Sequence, residues 1–213
     1  PAIDATWIDN VTNVTSFNRV FSGCKSATEI DIWNWTTTTN TSQSFTVVDM
    51  FYDCQSVVQI WAGSGWTMTR MNMNTTVGNA AYSGNMFTNC FNIRGADGSV
   101  YQKNNTPGSA SYAHIGSTTV GSTTYATGYF SVKNYKWGSS TAQWTMDYNG
   151  DLVVTPISGN HGEFANFGTA DTSDGAPWAI AANNVRNNVR TWKIEGGTVG
   201  IISGGTAGMF RNL

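Results

Sequence analysis

Three cysteines, two histidines and one short acidic loop are the side chains of this 213-residue chain whose types and spacing bear on chemistry. Cys24, Cys54 and Cys90 would bind a metal or form a bridge if they converged. Their separations of thirty and thirty-six residues fit no zinc pattern, and one bridge would leave a thiol over. They read instead as a buried ladder of free thiols, each acting as a small apolar core residue. His114 and His161 have no nucleophile motif beside them. No G-x-S-x-G, P-loop or H-E-x-x-H occurs in the chain. Asp147, Asn149 and Asp151 have calcium-loop spacing but no glutamate at the twelfth position. Asn149-Gly150 lies between two alternating runs, Trp144 to Asp147 and Leu152 to Thr155, which is a hairpin signal. No catalytic, cofactor-binding or metal-binding residue is therefore assigned, and the chain is expected not to be an enzyme.

The cysteines belong to a repeated phrase, and the phrase must be positioned by repeated structure. It reads Val20-Phe21-Ser22-Gly23-Cys24, then Met50-Phe51-Tyr52-Asp53-Cys54, then Met86-Phe87-Thr88-Asn89-Cys90. A fourth copy opens at Met209-Phe210-Arg211-Asn212-Leu213. Three residues past each cysteine sit Ala27, Val57 and Ile93, and six past it sit Ile30, Ile60 and Ala96. Apolar residues at fixed offsets imply side chains stacked into one shared core, because a single copy is too small to bury its own apolar side. Phe21, Phe51 and Phe87 should stack in register. The runs Glu29-Ile30-Asp31-Ile32 and Gln59-Ile60-Trp61-Ala62 alternate and predict short parallel strands at about 30–32 and 59–62.

This phrase resembles the BspA-like leucine-rich repeat family of bacterial surface proteins. Ile3-Asp4, Trp7 and the run from Asn13-Val14-Thr15 to Cys24 carry the likeness most closely; Ile30-Asp31, Trp33 or Trp35, and Met50 to Cys54 carry it more loosely. Tyr112-Ala113-His114-Ile115 with Gly128-Tyr129-Phe130 is similar to the segment that closes such domains. Trp144 to Leu152 and Ala176-Pro177-Trp178 are similar to the segment that opens them. One departure is plain, since only Leu152 and Leu213 are leucine, so Ile, Val, Met and Trp must fill the core. The resemblance implies a mainly β, leucine-rich-repeat-like solenoid with short parallel strands, capped by a β-hairpin segment, in an extracellular or cell-surface protein.

The expected organisation is solenoid repeats over 1–100, a closing segment over 101–135, and an opening cap with the hairpin and a first rung over 136–213. Thr191 to Glu195 reads as that rung's strand, and the stretch from Gly159 to Gly175 as a loop. The hairpin is expected to cover the open end of the stack. In the family the opening cap comes first, so joining Leu213 to Pro1 restores its order. Three explanations stand side by side: one period of a tandem array, a fragment spanning two successive domains, or a circular permutation. The join makes Pro1, Ile3, Trp7, Met209, Phe210 and Leu213 the expected interface between units.

Composition narrows the partners. Charged residues are 11% of the chain, whereas Thr, Ser, Asn and Gly supply roughly two-fifths, so water is met by hydroxyls and amides. A net charge of −2 and scattered lysines argue against nucleic acid. No apolar run reaches transmembrane length, so membrane insertion is not expected. Asn10, Asn13, Asn34, Asn40, Asn74 and Asn104 begin glycosylation sequons, a number this composition produces by chance. Trp33, Trp35, Trp61 and Trp66 either fill the core or form an exposed stripe for sugars or a partner chain. The expected function is a structural repeat module of an extracellular filament or stalk, joining copies of itself head to tail. The alternative is a surface adhesin domain binding a glycan or a host surface protein.

Overall fold

A computed structural model describes residues 1–8, 11–37, 44–72, 85–102, 109–136, 140–164 and 185–201. Met209, Phe210, Leu213 and Ala176-Pro177-Trp178 lie outside the described residues. The described chain is mainly β, with helix confined to 3₁₀ turns at Ala110–Tyr112 and Val185–Asn188. Its strands are β1 (Ala2–Asp4), β2 (Glu29–Asp31), β3 (Gln59–Ala62), β4 (Thr118–Val120), β5 (Thr123–Tyr125), β6 (Phe130–Lys136), β7 (Ala142–Met146), β8 (Asp151–Pro156), β9 (His161–Phe164), β10 (Thr191–Ile194) and β11 (Thr198–Ile201).

Seven strands form one mixed sheet in the order β1-β2-β3-β6-β7-β8-β10. The first four are parallel, and Ile3, Ile30, Ile60 and Phe130 stand in one row across them. That row faces the core, with Ile30, Ile60 and Phe130 fully buried. The period of two does this work: the flanking Glu29 and Asp31 point the other way and stay half-buried. β2 begins one residue before the expected strand, and β3 lies where it was expected.

The repeated phrase forms a second ladder beside the sheet. The Phe21 and Phe51 rings stack with centroids 5.4 Å apart and 2° between planes, and Phe51 and Phe87 stack at 5.4 Å and 12°. Backbone bonds tie the copies together. Phe21 N donates to Met50 O at 2.9 Å, and Phe51 N donates to Met86 O at 2.9 Å. Two residues later Gly23 N donates to Tyr52 O, and Asp53 N to Thr88 O. The tight turn needs a left-handed residue just before each cysteine. Gly23, Asp53 and Asn89 fill that position with φ of 76°, 61° and 65°, and these residue types enter the region at least cost. Arg19 and Asp49 occupy a second left-handed position two residues before the phenylalanine.

The expected hairpin forms. β7 and β8 pair antiparallel, with Met146 opposite Leu152. Asp147 Oδ1 accepts from the amides of Asn149 and Asp151, and Gly150 takes φ 87° to complete the turn. Its place differs from the expectation. The hairpin stands between β6 and β10, covering the closing strand with β7 and offering β8 to β10. A bulge between Val132 and Tyr135, with Asn134 at φ 49°, lies where the sheet changes from parallel to antiparallel. The stretch expected as a loop contains β9, which pairs with β11 in a separate two-stranded sheet. Two packed clusters fill the interior, one around the phenylalanine stack and one around Trp144, Met146, Leu152 and Phe164.

Candidate functional site

The candidate site is the pair of outermost strands of the seven-stranded sheet among the described residues. β1 pairs only with β2, and β10 only with β8, among the described residues. Strand direction can be followed across the sheet. β1, β2, β3 and β6 run one way, β7 reverses, β8 reverses again, and β10 is parallel to β8. Both outer strands therefore run in the same direction. Each edge presents outward backbone groups. Ala5 N donates inward to Asp31 O and Glu195 N donates inward to Val154 O, so by alternation the amides of Asp4 and Ile194 turn outward.

Side chains at the edges are less covered than their counterparts inside. Ile194 is 38% exposed, whereas Ile30, Ile32 and Ile60 are fully buried. Trp7, just beyond β1, is 79% exposed, the most open large apolar side chain described. Ile3 is half-buried against the core, and Pro1 is exposed, its carbonyl accepting from Thr28 N at 2.8 Å. Of the expected interface residues, the structure thus places Pro1, Ile3 and Trp7 together at the β1 end. The open Ile194 at the other end was not singled out by sequence, although its alternation within 191–195 could have marked it.

The opposite end of the phenylalanine ladder is capped by tyrosines. Asn89 N donates to Tyr101 Oη at 3.2 Å, and the Phe87 ring meets Tyr129 edge-on at 5.3 Å. Burial pushes the Tyr129 hydroxyl up to about 12, and its oxygen accepts from Gln102 N at 3.3 Å.

Among the described residues no group of three or more His, Cys, Asp or Glu is placed to hold a metal. Cys24, Cys54 and Cys90 are free thiols in successive copies. Cys54 Sγ donates to Phe21 O and Cys90 Sγ to Phe51 O, each at 3.0 Å. They tie one copy to the one before. The Cys90 thiol is pushed far up by its hydrogen bond with Cys54 and by burial. His114 is buried beside a cavity of about 130 Å³ lined also by Trp66, Met68, Ile115 and Tyr135. Burial lowers its pKa and keeps the imidazole neutral, with nearby backbone groups offsetting this only in part. Tyr135 is the other ionisable side chain lining the cavity, and burial pushes its hydroxyl up. His161 is exposed and bonds Thr198 Oγ1 at 2.9 Å. The Asp147 loop spends its carboxylate on the turn amides and on Asn149 Nδ2. The tryptophans divide: Trp35 and Trp66 are buried, while Trp33 and Trp61 are half-buried.

No protein-family model, curated protein or solved structure matches this chain. No helix among the described residues is long and apolar enough to cross a membrane.

Proposed function

We propose that the chain is a structural module of an extracellular or cell-surface filament or stalk, built as a leucine-rich-repeat-like solenoid and joined head to tail to copies of itself. The observation that carries this is the matched direction of β1 and β10, the outermost strands of the sheet among the described residues. Placing β1 of one copy beside β10 of another continues the sheet in parallel, with no strand reversed. Such a contact uses different patches on its two partners, so it propagates instead of closing in a pair. Seven strands at about 4.8 Å each give a rise of roughly 34 Å per unit. Strand addition of this kind draws affinity from main-chain bonds, and the apolar side chains left open at the edges supply burial. The resemblance to bacterial surface repeats and the charge-poor, hydroxyl-rich composition support the extracellular setting.

The test is assembly of the purified chain, followed by sedimentation and electron microscopy. Unbranched filaments with an axial repeat near 34 Å are expected. Ile194→Pro removes one outward amide without touching the β8 ladder, so it should abolish elongation while leaving the monomer folded. A wild-type chain that stays monomeric at high concentration overturns the reading. The adhesin alternative draws on Trp33 and Trp61, which keep part of their rings in solvent. Selective retention on a glycan array, lost in Trp61→Ala, would favour it.

A further inference from the structure

The open β1 end has a second row of unfilled acceptors. In the ladder between the first two copies, the amides of Phe17, Arg19, Phe21 and Gly23 donate to the carbonyls of Thr46, Val48, Met50 and Tyr52. The equivalent carbonyls of the first copy belong to Ser16, Asn18, Val20 and Ser22. They face the open end and accept no backbone bond among the described residues. What fits them is a segment with amides at alternate positions, a phenylalanine at the third of these, and left-handed residues at the second and fourth.

We infer that residues 206–213 of a second copy are that segment, with Thr206, Gly208, Phe210 and Asn212 donating to Ser16, Asn18, Val20 and Ser22. This rests on the head-to-tail reading above and adds its second line of contact. Two features of the sequence select the segment. First, the left-handed positions held by Arg19 and Asp49, and by Gly23, Asp53 and Asn89, fall in the fourth copy on Gly208 and Asn212. These are the two residue types best suited to positive φ. Second, none of the four donors is proline. A copy whose β10 lies along the next copy's β1 has its residues 206–213 a short stretch of chain away from that end. The Cys24 thiol gains a role as well. Cys54 and Cys90 each donate to the phenylalanine carbonyl of the preceding copy, and Phe210 would supply that carbonyl to Cys24. Leu213 takes the place of the cysteine in the added rung, so the thiol ladder ends there.

The test compares the elongation of wild-type chain, Gly208→Val, Asn212→Val and Asn212→Gly, with Ile194→Pro as the edge-blocking control. Thermal melting of each monomer checks that the sheet remains folded. Gly208→Val and Asn212→Val should raise the critical concentration by roughly tenfold or more, the loss expected for two or three backbone bonds. Asn212→Gly should assemble like wild type, because glycine also accepts the left-handed conformation. A synthetic peptide of residues 204–213 should slow elongation by occupying the Ser16–Ser22 end, and the same peptide carrying both valines should not. If all three variants of 206–213 elongate normally while Ile194→Pro does not, the head-to-tail reading stands and this inference fails. If wild-type chain does not assemble, both fall together.

Discussion

Phe51→Ala probes whether the phenylalanine ladder is what holds the repeats together. Phe51 has no exposed surface and lies between two parallel rings, each with its centroid 5.4 Å away. Phe130 adds an edge-on contact at 6.2 Å. Truncating a buried phenylalanine costs about 3–5 kcal/mol through lost transfer energy and the cavity left behind. Aromatic neighbours on both faces place this site in the upper half of that range, since each well-oriented ring pair adds about 0.5–1.5 kcal/mol. The surroundings also resist collapse, because backbone bonds hold the copies above and below at fixed spacing. Urea unfolding followed by tryptophan fluorescence measures the loss. Phe91→Ala is the internal reference: that ring is 51% exposed and meets one partner, Tyr101, at 5.7 Å, so its loss should cost less than about 1 kcal/mol. Equal costs for the two substitutions would refute the ladder as the source of cohesion.

Other consequences are equally open to measurement. Gly128→Ala should destabilise by about 1–3 kcal/mol or prevent folding, because the added carbon would sit 1.9 Å from His114 O, and its melting temperature reports this. His114 is held neutral by burial, with its folded pKa below the unfolded value. Its contribution is therefore present above the unfolded pKa of about 6.5 and is lost as pH falls through the folded value. The melting temperature should drop on acidification from pH 7 to 5, and His114→Phe should flatten that slope; an unchanged slope would assign the effect elsewhere. A maleimide reagent should label half-buried Cys24 well before Cys54 and Cys90 in the native protein, and all three after unfolding, as read by mass spectrometry.

Much of the first half is legible in sequence because it repeats. Fixed offsets from phenylalanine place Ala27, Val57 and Ile93 inside, and all three are buried. The hairpin was legible because Asn-Gly specifies a turn whatever surrounds it. Its position was not, because local residues say nothing about which strand an outer face will meet. β9 escaped notice for a related reason: His161-Gly162-Glu163-Phe164 has one large apolar residue, and its partner Thr198–Ile201 lies far along the chain. The tryptophans illustrate parity. Trp61 neighbours the inward Ile60 on β3 and so faces outward, whereas Trp35 leaves the strand and turns onto Phe17 and Phe21. At the candidate site, Ile3 and Trp7 carry a repeat signature, but the outward carbonyls of Ser16 to Ser22 carry none, since backbone acceptors are the same for every residue type.

The direction of the hydrogen bonds has a mechanical consequence. In this sheet they run from strand to strand, along the line on which units would be joined, so a pull along that line loads them one after another and not side by side. Bonds in series separate at low force, each independently of the next. The peptide chain remains as a tether between the separated strands. The two innermost positions of β1 and β2, Ile3 and Ile30, are twenty-seven residues apart along that tether. Opening one contact of about 4.8 Å would release tens of ångströms of slack. A stalk made this way would lengthen under load and recoil when released, dissipating a jolt before its covalent backbone is strained.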